Sequence, residues 1–341
     1  MANEPHKLIL LPNRSYQAVA RSEIKKIALT VGFSTKRMAE LEIVVAEITS
    51  NLIKHTKNGG ELLVKVLDGD NPGIEIISID AGPGMEAVHS MLEDGVSSTN
   101  TLGQGLGAIK RFSDEFDTYS LPGWGTVLLS RIHKNAIQPG KKKNVEVGVI
   151  MVAKEGETVC GDDYLCMLKG NNLKFAMCDG LGHGENAHEA ASTCLALFKS
   201  NINLTSTEQI REIHTGARRT RGAVMFASHI DFNNKQISYC GVGNISIRIQ
   251  SLGKYKSCVS YNGIVGHSIP STMNNHIMQW SKTDMLIVHS DGLSARWDLQ
   301  KYPAITKHDC TVIAAALYKD FYRKTDDVTV AVIRQHINKT P

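Results

Sequence analysis

Two apolar runs that each end in an aspartate–glycine pair place the strongest constraint on how this chain folds. Residues 175–178 and 285–288 are short and apolar, which is typical of buried strands. The pairs at or near their ends are Asp179-Gly180 and Asp291-Gly292. A third acidic pair, Asp326-Asp327, precedes another apolar run. Carboxylates that a fold gathers from distant positions are typical ligands of hard divalent cations, so the pattern predicts a metal site.

Electrostatic repulsion makes such a gathering costly unless cations are present. Two unit charges about 4 Å apart repel by about 4 kcal/mol at an effective dielectric constant of about 20. Ligands that are all oxygen favour Mg²⁺ or Mn²⁺ over zinc. Two such ions about 3.5–4 Å apart can activate a bridging water and hold a phosphoryl group. The pattern therefore favours metal-assisted hydrolysis, which needs no cysteine or serine nucleophile.

Length and composition limit the classes of protein that this chain can be. Its 341 residues favour two domains, and 42% hydrophobic with 21% charged residues is ordinary for globular cores. A net charge of +4 without a dense basic face argues against nucleic-acid binding. Seven cysteines without a Cys-x-x-Cys pair indicate reduced thiols. Since no apolar stretch approaches the roughly 18 residues of a membrane span, we expect a cytoplasmic protein without a membrane partner.

Residues 134–144 have the composition of a linker. They combine a Pro-Gly pair with three consecutive lysines, and they show no periodicity. We therefore predict an amino-terminal domain over residues 1–133, a linker over residues 134–144 and a carboxy-terminal domain over residues 145–341.

Residues 35–56 have the periodicity of one amphipathic helix. Their apolar positions recur at helical spacing and predict a buried stripe, and Ser34 has the chemistry of an N-cap. Glu47 and Asn51 lie four residues apart, so both side chains project from the same side of the helix. Such a pair can polarise a hydroxyl group and hold Mg²⁺, and a hydrogen bond on the helix surface is the alternative.

Two glycine-rich segments follow this helix. A predicted strand over residues 74–79 ends at Asp80, and Gly82 and Gly84 come next. Asp80 can accept a hydrogen bond from a purine amino group, and glycines let the backbone approach a ligand closely. The second segment opens a predicted helix over residues 105–112. Its glycines are Gly103, Gly105 and Gly107. Backbone amides at the start of a helix can bind phosphate.

Two better-known phosphate-binding motifs fit the second segment less well. A P-loop requires Gly-Lys-Ser/Thr, whereas Gly107 is followed by Ala-Ile-Lys. A dinucleotide-binding fold requires its glycine run directly after a strand, whereas this run follows the polar residues 97–100. The order of a helical Glu/Asn pair, Asp-x-Gly-x-Gly and Gly-x-Gly-x-Gly is the more specific signal.

That ordered set resembles the GHKL ATPase fold over about residues 7–132. Within it, residues 91–98 and 105–116 are similar to the switch kinases of bacterial stress-response partner-switching systems. The resemblance implies binding of ATP with Mg²⁺ and transfer of phosphate to serine or threonine of a protein partner. No phospho-acceptor histidine precedes the motifs on a two-helix dimerisation unit, so we do not expect a histidine kinase.

The same resemblance gives roles to individual residues. It implies that Glu47 is the activating base, Asn51 the Mg²⁺ ligand and Asp80 the adenine contact. It places residues 94–102 in the ATP lid. The glycines that it places in the nucleotide-binding loops are Gly82, Gly84, Gly103, Gly105 and Gly107.

The second half alternates between predicted strands and helices. The predicted strands cover residues 145–153, 224–230 and 236–249, the last two as an antiparallel hairpin. The predicted helices cover residues 184–200, 206–219 and 307–322.

Over about residues 145–335, the acidic turns resemble those of the metal-dependent Ser/Thr phosphatases of the 2C class, in their sporulation and stress-response branch. The matching signatures are Gly-Asp at residues 161–162, the run 179–184, Ser-Asp-Gly at residues 290–292 and Asp-Asp-Val-Thr-Val at residues 326–330. The resemblance implies two Mn²⁺ or Mg²⁺ ions with oxygen ligands. The implied ligands are the carboxylates of Asp162, Asp179, Asp291 and Asp326 and the backbone carbonyl of Gly180.

Three further positions bear on this resemblance. Asp327 stands where relatives often carry Asn, so we rank it below Asp326 as a ligand. The alternative for Asp162 and its neighbour Asp163 is that they only form a turn, and His183 fits a loop hydrogen bond better than a ligand. The arginine that some members carry near their first strand has no clear counterpart, which leaves phosphate recognition open.

Together the two resemblances imply an α+β protein of two domains, a GHKL (Bergerat) α/β sandwich followed by a 2C-type α/β/β/α sandwich. We expect a partner-switching regulator whose protein partner carries a phosphorylatable serine or threonine and is a STAS-domain anti-sigma-factor antagonist. In the alternative, the first domain is a non-catalytic, nucleotide-dependent docking module that regulates the phosphatase. A scaffold with both sites inactive is disfavoured because the aspartate sets are complete.

Overall fold

The computed structural model describes residues 3–86, 105–137, 144–251 and 253–336. Its internal contacts distinguish two compact units. The amino-terminal unit contains His6–Lys141 and Ala304–Ala316. The carboxy-terminal unit contains Met1–Pro5, Lys142–Pro303 and Leu317–Pro341. The domain limits at residues 133 and 145 stay a prediction, because much of the proposed linker lies outside the described residues.

The amino-terminal unit is an antiparallel sheet with helices packed on one face. Its strands are β1 (Lys7–Leu11), β2 (Gly60–Leu67), β3 (Gly73–Asp80), β4 (Glu115–Leu121) and β5 (Gly125–His133). Their order across the sheet is β1-β2-β3-β5-β4. The helices are α1 (Gln17–Val31), α2 (Thr35–His55) and α3 (Gly105–Phe112). Apolar side chains of both layers form one buried cluster between them.

Helix α2 forms where its periodicity predicted it. The Ser34 hydroxyl accepts a hydrogen bond from the backbone amide of Arg37 and caps the helix, as expected. The predicted apolar stripe is buried against the sheet. Each side chain of this kind stabilises the fold by about 1.5–3 kcal/mol when it is buried. Glu47 and Asn51 lie outside the stripe and stay partly exposed. Core packing therefore holds the helix in place while both polar side chains remain accessible.

Arg131 on β5 is the centre of a buried ionic network in the amino-terminal unit. Its guanidinium donates to Glu75 Oε2 at 2.6 Å and to Glu115 Oε2 at 2.7 Å. It also donates to both carboxylate oxygens of Asp309, at 3.0 and 3.2 Å. His6 Nε2 lies 3.0 Å from Glu75 Oε1. Buried charges of this kind are tolerated only when they are paired and hydrogen-bonded, and this network meets that condition.

The carboxy-terminal unit contains two antiparallel sheets of five strands each. The first sheet has the order β13-β10-β9-β8-β7 and the second the order β12-β11-β14-β15-β6. The first five of these strands are β6 (Val145–Val152), β7 (Asp162–Lys169), β8 (Asn172–Gly180), β9 (Ala223–Asp231) and β10 (Gln236–Val242). The others are β11 (Ser246–Ser251), β12 (Lys254–Ser257), β13 (His276–Gln279), β14 (Met285–His289) and β15 (Val328–Gln335).

Side chains of both sheets form one buried cluster, so the two sheets pack face to face. Helices α4 (Glu185–Ser200) and α5 (Ser206–Gly216) cover the outer face of the first sheet through a second buried cluster. The last helix, α6 (Cys310–Phe321), is buried from its first residue to Tyr318. The predicted α+β fold class is therefore confirmed.

Local geometry explains where the elements differ from the predicted ones. The single strand predicted over residues 236–249 is divided into β10 and β11. Gly243 causes the break, because its φ of +96° disfavours any residue with a side chain. A Cβ at this position would lie 2.1 Å from Cγ1 of Val224. Asp162 and Asp163 are not turn residues but the buried start of β7.

Within the described residues, no helix is both long enough and apolar enough to cross a membrane.

Candidate functional sites

Acidic residues from distant segments of the carboxy-terminal unit converge on one place. Asp162 begins β7 and lies directly opposite Asp179, near the end of β8. Asp291 follows β14, Asp326 precedes β15, and these two strands pair with each other. The carboxyl group of Asp179 interacts electrostatically with those of Asp291 and Asp326. The fold therefore brings the acidic positions predicted from sequence into one neighbourhood.

Ser290 connects these acidic segments by hydrogen bonds. Its hydroxyl donates to Asp162 Oδ2 at 2.6 Å and accepts from the backbone amide of Thr329 at 2.9 Å. Its own backbone amide donates to the carbonyl of Thr329 at 3.0 Å. Ser290 is fully buried. Because Asp291 is the next residue, these bonds fix the positions of Asp162, Asp291 and the start of β15 together.

His289 supports Ser290 from the side of the core. Its Nδ1 lies 2.8 Å from the carbonyl oxygen of Ser290, and Trp297 Nε1 donates to its Nε2 at 3.0 Å. Burial lowers the pKa of His289 to about 4, so the imidazole is neutral near pH 7. The two bonds together fix the tautomer with the proton on Nδ1. His289 therefore orients the backbone next to Asp291.

Burial and mutual repulsion raise the pKa values of the central acids. Burial, together with the charges of Asp291, Asp326 and Asp327, raises the pKa of Asp179 to about 8. Burial and the charge of Asp179 raise the pKa of Asp162 well above its usual range, against the opposing hydrogen bond from Ser290. Among the described residues, no basic side chain is a main cause of either shift. The ionised cluster would therefore need positive charge from a bound cation.

The donor set of this cluster fits hard cations. All of its side-chain donors are oxygens, which suit Mg²⁺ or Mn²⁺. Oδ2 of Asp327 is buried and has no hydrogen-bond partner among the described residues, and its Oδ1 accepts from the backbone amide of Lys154 at 2.8 Å. In the described ranges, no three His, Cys, Asp or Glu side chains are grouped closely enough to hold a metal ion as they stand. The individual ligand assignments stay predictions for Asp162, Asp179, Gly180, Asp291 and Asp326.

Gly180 lies where only glycine fits. Its backbone amide donates to the carbonyl of Gly161 at 3.1 Å. A Cβ on Gly180 would lie 2.1 Å from the carbonyl oxygen of Ala187 in helix α4. This close approach lets the helix pack directly beside the end of β8. The Asp179-Gly180 pair is therefore held rigidly, which a metal-binding site requires.

His183 follows this pair and is engaged by a side chain of another loop. Its Nδ1 lies 2.6 Å from Glu157 Oε1. The same glutamate lies against Gly184, where a Cβ would be 2.9 Å from Glu157 Oε2. The interpretation of His183 as a loop hydrogen-bonding residue agrees with this contact.

Residues predicted to bind ATP meet at the start of helix α3 in the amino-terminal unit. Gly105 begins this helix and packs against α2. A Cβ on Gly105 would lie 2.8 Å from Glu47 Oε2 and 3.5 Å from Asn51 Oδ1. A helix start can bind phosphate through its backbone amides and its dipole. The structure therefore places a carboxylate and an amide directly beside a potential phosphate-binding helix start.

The Asp80 loop is shaped by close contacts of its own backbone. Asp80 Oδ1 accepts from the backbone amide of Gly82 at 2.7 Å. Gly84 has a φ of +71°, and a Cβ there would lie 1.9 Å from the carbonyl oxygen of Leu121. A Cβ on Gly82 would lie 2.8 Å from the carbonyl oxygen of His55. Both glycines are thus required by the fold, and their nucleotide contacts stay predictions.

Of the other predicted nucleotide-binding positions, only Gly107 lies among the described residues. Gly107 is buried within α3. Gly103 and the predicted ATP lid over residues 94–102 lie outside the described residues.

Sequence reasoning assigned no supporting role to Asn244 or Ser290 and ranked Asp327 below Asp326. Asn244 Nδ2 donates to Asp291 Oδ2 at 2.9 Å, from a turn far away in sequence. Asp327 is only 4% exposed and is more buried than Asp326. One feature of the sequence marks Ser290, namely that it directly precedes an Asp-Gly pair. Nothing in the sequence marks Asn244 except its place in a Gly-Asn turn.

Comparisons with known proteins match the amino-terminal part of the chain to an ATPase domain and a kinase. The family model of the histidine kinase-like ATPase domain matches residues 12–131. RsbT, a serine/threonine-protein kinase of Bacillus subtilis (strain 168), is 34% identical over 107 residues. That match covers 31% of this chain and 80% of RsbT.

Other comparisons match a phosphatase. RsbX, a phosphoserine phosphatase of Bacillus subtilis (strain 168), is 26% identical over 159 residues, which are 46% of this chain and 79% of RsbX. A solved structure titled "The bacterial stressosome: a modular system that has been adapted to control secondary messenger signaling" is 28% identical, with a TM-score of 0.54. That likeness covers 56% of this chain and 100% of the other chain.

Proposed function

This chain belongs to the partner-switching regulators that join a GHKL ATPase domain like RsbT to a 2C-type phosphatase domain, and we propose that it both dephosphorylates and phosphorylates protein partners. Its carboxy-terminal unit hydrolyses phosphoserine or phosphothreonine on a partner. Its amino-terminal unit binds ATP with Mg²⁺ and phosphorylates serine or threonine. The relatives RsbX and RsbT, named as a phosphoserine phosphatase and a serine/threonine kinase, support the two activities.

One observation carries the phosphatase proposal. Asp179 has a pKa of about 8 because burial and the surrounding acids oppose its charge, and no protein cation compensates among the described residues. A fold retains such repulsion when function requires it, and bound cations relieve it. Two Mg²⁺ or Mn²⁺ ions would supply an activated water at neutral pH and positive charge for the phosphoryl oxygens.

The residues of the chain would hold and orient this site. The proposed carboxylate ligands are Asp162, Asp179, Asp291 and Asp326, with the Gly180 carbonyl as a further ligand. Ser290 fixes Asp162 through its hydroxyl, and Asn244 fixes Asp291 through its amide. Partners of this kind orient metal ligands and tune metal affinity. No serine or cysteine nucleophile takes part in the proposed reaction.

The kinase proposal rests on the meeting of α2 and α3. Glu47 would accept the proton of the partner hydroxyl, and Asn51 would hold the Mg²⁺ of ATP. Asp80 would bind the adenine amino group, and the start of α3 at Gly105 would bind phosphate. The contact of Gly105 with both Glu47 and Asn51 supports this arrangement. The proposed loops also include Gly82, Gly84, Gly103 and Gly107.

The proposed partner is a small STAS-type anti-sigma-factor antagonist with a phosphorylatable serine or threonine, in the cytoplasm. The likeness to a stressosome structure and to the Rsb proteins supports a protein partner. The proposed STAS identity of this partner follows from the resemblance to partner-switching systems.

Phosphosite mass spectrometry tests both activities at once. The full chain is incubated with ATP, Mg²⁺ or Mn²⁺ and candidate STAS-domain proteins, and the same is done with Asp179→Asn. We expect phosphate on a serine or threonine of the partner protein to accumulate with Asp179→Asn and to be removed by the unaltered protein. Glu47→Ala should abolish the transfer while ATP still binds. Complex formation without phosphorylation of any candidate would favour the docking-module alternative for the amino-terminal unit.

A further inference from the structure

An arginine borders the loop that follows Asp179 and Gly180. Nη1 of Arg221 lies 2.9 Å from the position that a Cβ on Gly182 would occupy. Gly182 has a φ of +88°, and the absence of a side chain there lets the guanidinium lie against its backbone. The charge of Arg221 is therefore held beside the loop that directly follows the acidic cluster.

The backbone around Arg221 is fixed by bonds on both sides. His267 Nε2 lies 2.7 Å from the carbonyl oxygen of Arg221. The backbone amide of Leu181 donates to the carbonyl of Gly222 at 3.0 Å. The next residue, Ala223, begins β9 and lies opposite Gly180 in β8. The backbone that carries Arg221 therefore has a fixed position relative to the end of β8.

The guanidinium of Arg221 is exposed and unengaged. Among the residues that the structure describes, none forms a hydrogen bond or an ion pair with it, whereas Arg131 binds three carboxylates. Glu157, which lies on the loop between β6 and β7, already contacts His183. A guanidinium beside the loop that follows Gly180, without a hydrogen-bond or ion-pair partner among the described residues, has the chemistry to bind an anion.

We propose that Arg221 binds the phosphate group of the phosphoserine or phosphothreonine substrate. This inference rests on the proposed phosphatase function. A planar guanidinium can donate two parallel hydrogen bonds to a phosphate, and it stays charged at every physiological pH. Arg221 would hold the phosphate over the Asp179-Gly180 pair while its oxygens face the cations. It does not exchange protons with the substrate, so its role is binding and orientation.

The test compares four proteins of full length with Mn²⁺: the unaltered chain, Arg221→Met, Arg221→Lys and Arg219→Met. Arg219 is an exposed arginine of the same segment and serves as the matched control. Each protein is assayed on a phosphoserine peptide and on p-nitrophenyl phosphate, with inorganic phosphate as inhibitor. Thermal unfolding and Mn²⁺ affinity are measured for all four to establish that the fold and the metal site are unchanged.

We expect Arg221→Met to lower kcat/KM about 10- to 100-fold on both substrates, since a hydrogen bond to a charged group contributes about this factor. The inhibition constant of inorganic phosphate should rise about tenfold or more, Arg221→Lys should recover part of the loss, and Arg219→Met should have no effect. Equal activity of Arg221→Met and Arg219→Met would overturn the inference. So would a loss confined to the peptide, because both substrates share only the phosphate. Absence of Mn²⁺-dependent hydrolysis by the unaltered chain would instead overturn the proposed function, and this inference with it.

Discussion

Two groups of buried acids in this protein have opposite electrostatics. In the amino-terminal unit, burial alone would raise the pKa of Glu75, but Arg131 and His6 outweigh it and lower the pKa to about 2. In the carboxy-terminal unit, burial and the charges of neighbouring aspartates together raise the pKa of Asp179 to about 8. Burial acts in the same direction at both sites. The presence or absence of a basic side chain decides the sign of the net shift.

The difference separates acids that stabilise the fold from acids reserved for a ligand. The Arg131 network is complete, because the protein supplies its own counter-charge. The Asp179 cluster is incomplete, because its hydrogen bonds orient the carboxylates without neutralising them. An energetically unfavourable group that is also held in a fixed geometry is typical of a binding or catalytic site.

Replacement of Asp179 should have the largest effect. Asp179→Asn removes a proposed ligand, so we expect Mn²⁺-dependent hydrolysis of a phosphopeptide to fall by about 1000-fold or more, as expected when metal-assisted water activation is lost. With the metal chelated, the same change relieves repulsion and should raise the free energy of unfolding by about 1 kcal/mol or more. Asp231→Asn, at the end of β9 beside the hairpin turn at Asn233 and Asn234, is the control. If Asp179→Asn kept its activity, the cluster would not be part of the active site.

Replacement of Arg131 should have the opposite effect on stability. Arg131→Met leaves the buried Glu75 and the partly buried Asp309 without the guanidinium that pairs with them, and breaking a buried ion pair typically costs about 3–5 kcal/mol. Hydrogen exchange of backbone amides in β3 and β5 of the full chain measures this loss. We expect Arg131→Met combined with Glu75→Gln to recover part of it. A loss below about 1 kcal/mol would show that the network is not a stabilising one.

The stability of the amino-terminal unit should depend on pH through Glu75. Its pKa is about 2 in the folded protein and ordinarily 4.5, so ionised Glu75 stabilises the fold above pH 4.5. That stabilisation, about 3 kcal/mol by linkage, is lost as the pH falls from 4.5 towards 2. Hydrogen exchange of β3 in the unaltered chain and in Glu75→Gln should differ most near pH 6 and converge near pH 2. A difference independent of pH would contradict this account.

Ser290 should give the smallest of these effects, because it orients the cluster without belonging to it. Ser290→Ala removes the hydrogen bond to Asp162 and the acceptor of the Thr329 amide. We expect Mn²⁺ affinity and kcat/KM to fall about 10- to 100-fold, as for other residues that orient metal ligands. Ser281→Ala, whose hydroxyl binds Asp284 at 2.9 Å outside the cluster, is the matched control. Equal metal affinity in both variants would assign Ser290 a role in folding alone.

The sequence predicted the elements with strong periodicity and the turns with distinctive residue types. Helix α2 has an uninterrupted apolar stripe and a serine cap, so local signals and tertiary packing agree. The acidic positions were predicted because each lies at or near the end of an apolar run, but Asp179 and Gly180 are the last residues of strand β8 and not a turn. The strand break at Gly243 was not predicted, because it depends on a contact with Val224 on the neighbouring strand.

The supporting residues of the site were harder to predict for the same reason. Asn244 reaches Asp291 across 47 positions of sequence, and Ser290 reaches Asp162 across 128. Arg221 meets Gly182 only because β8 and β9 are neighbours in the sheet. Such contacts follow from the order of strands, which no local pattern encodes. Tertiary structure is therefore needed to find the residues that orient a site whose ligands the sequence already indicates.

The central claim is tested most directly by calorimetry. The full chain, free of metal and nucleotide, is titrated with Mn²⁺. If the Asp179 cluster lacks a counter-charge that cations supply, the chain should bind about two Mn²⁺ ions, as two-metal phosphatases do. Asp179→Asn should lose at least one of them, whereas Arg131→Met should bind Mn²⁺ like the unaltered chain. Absence of saturable binding, or equal binding by Asp179→Asn, would contradict the account.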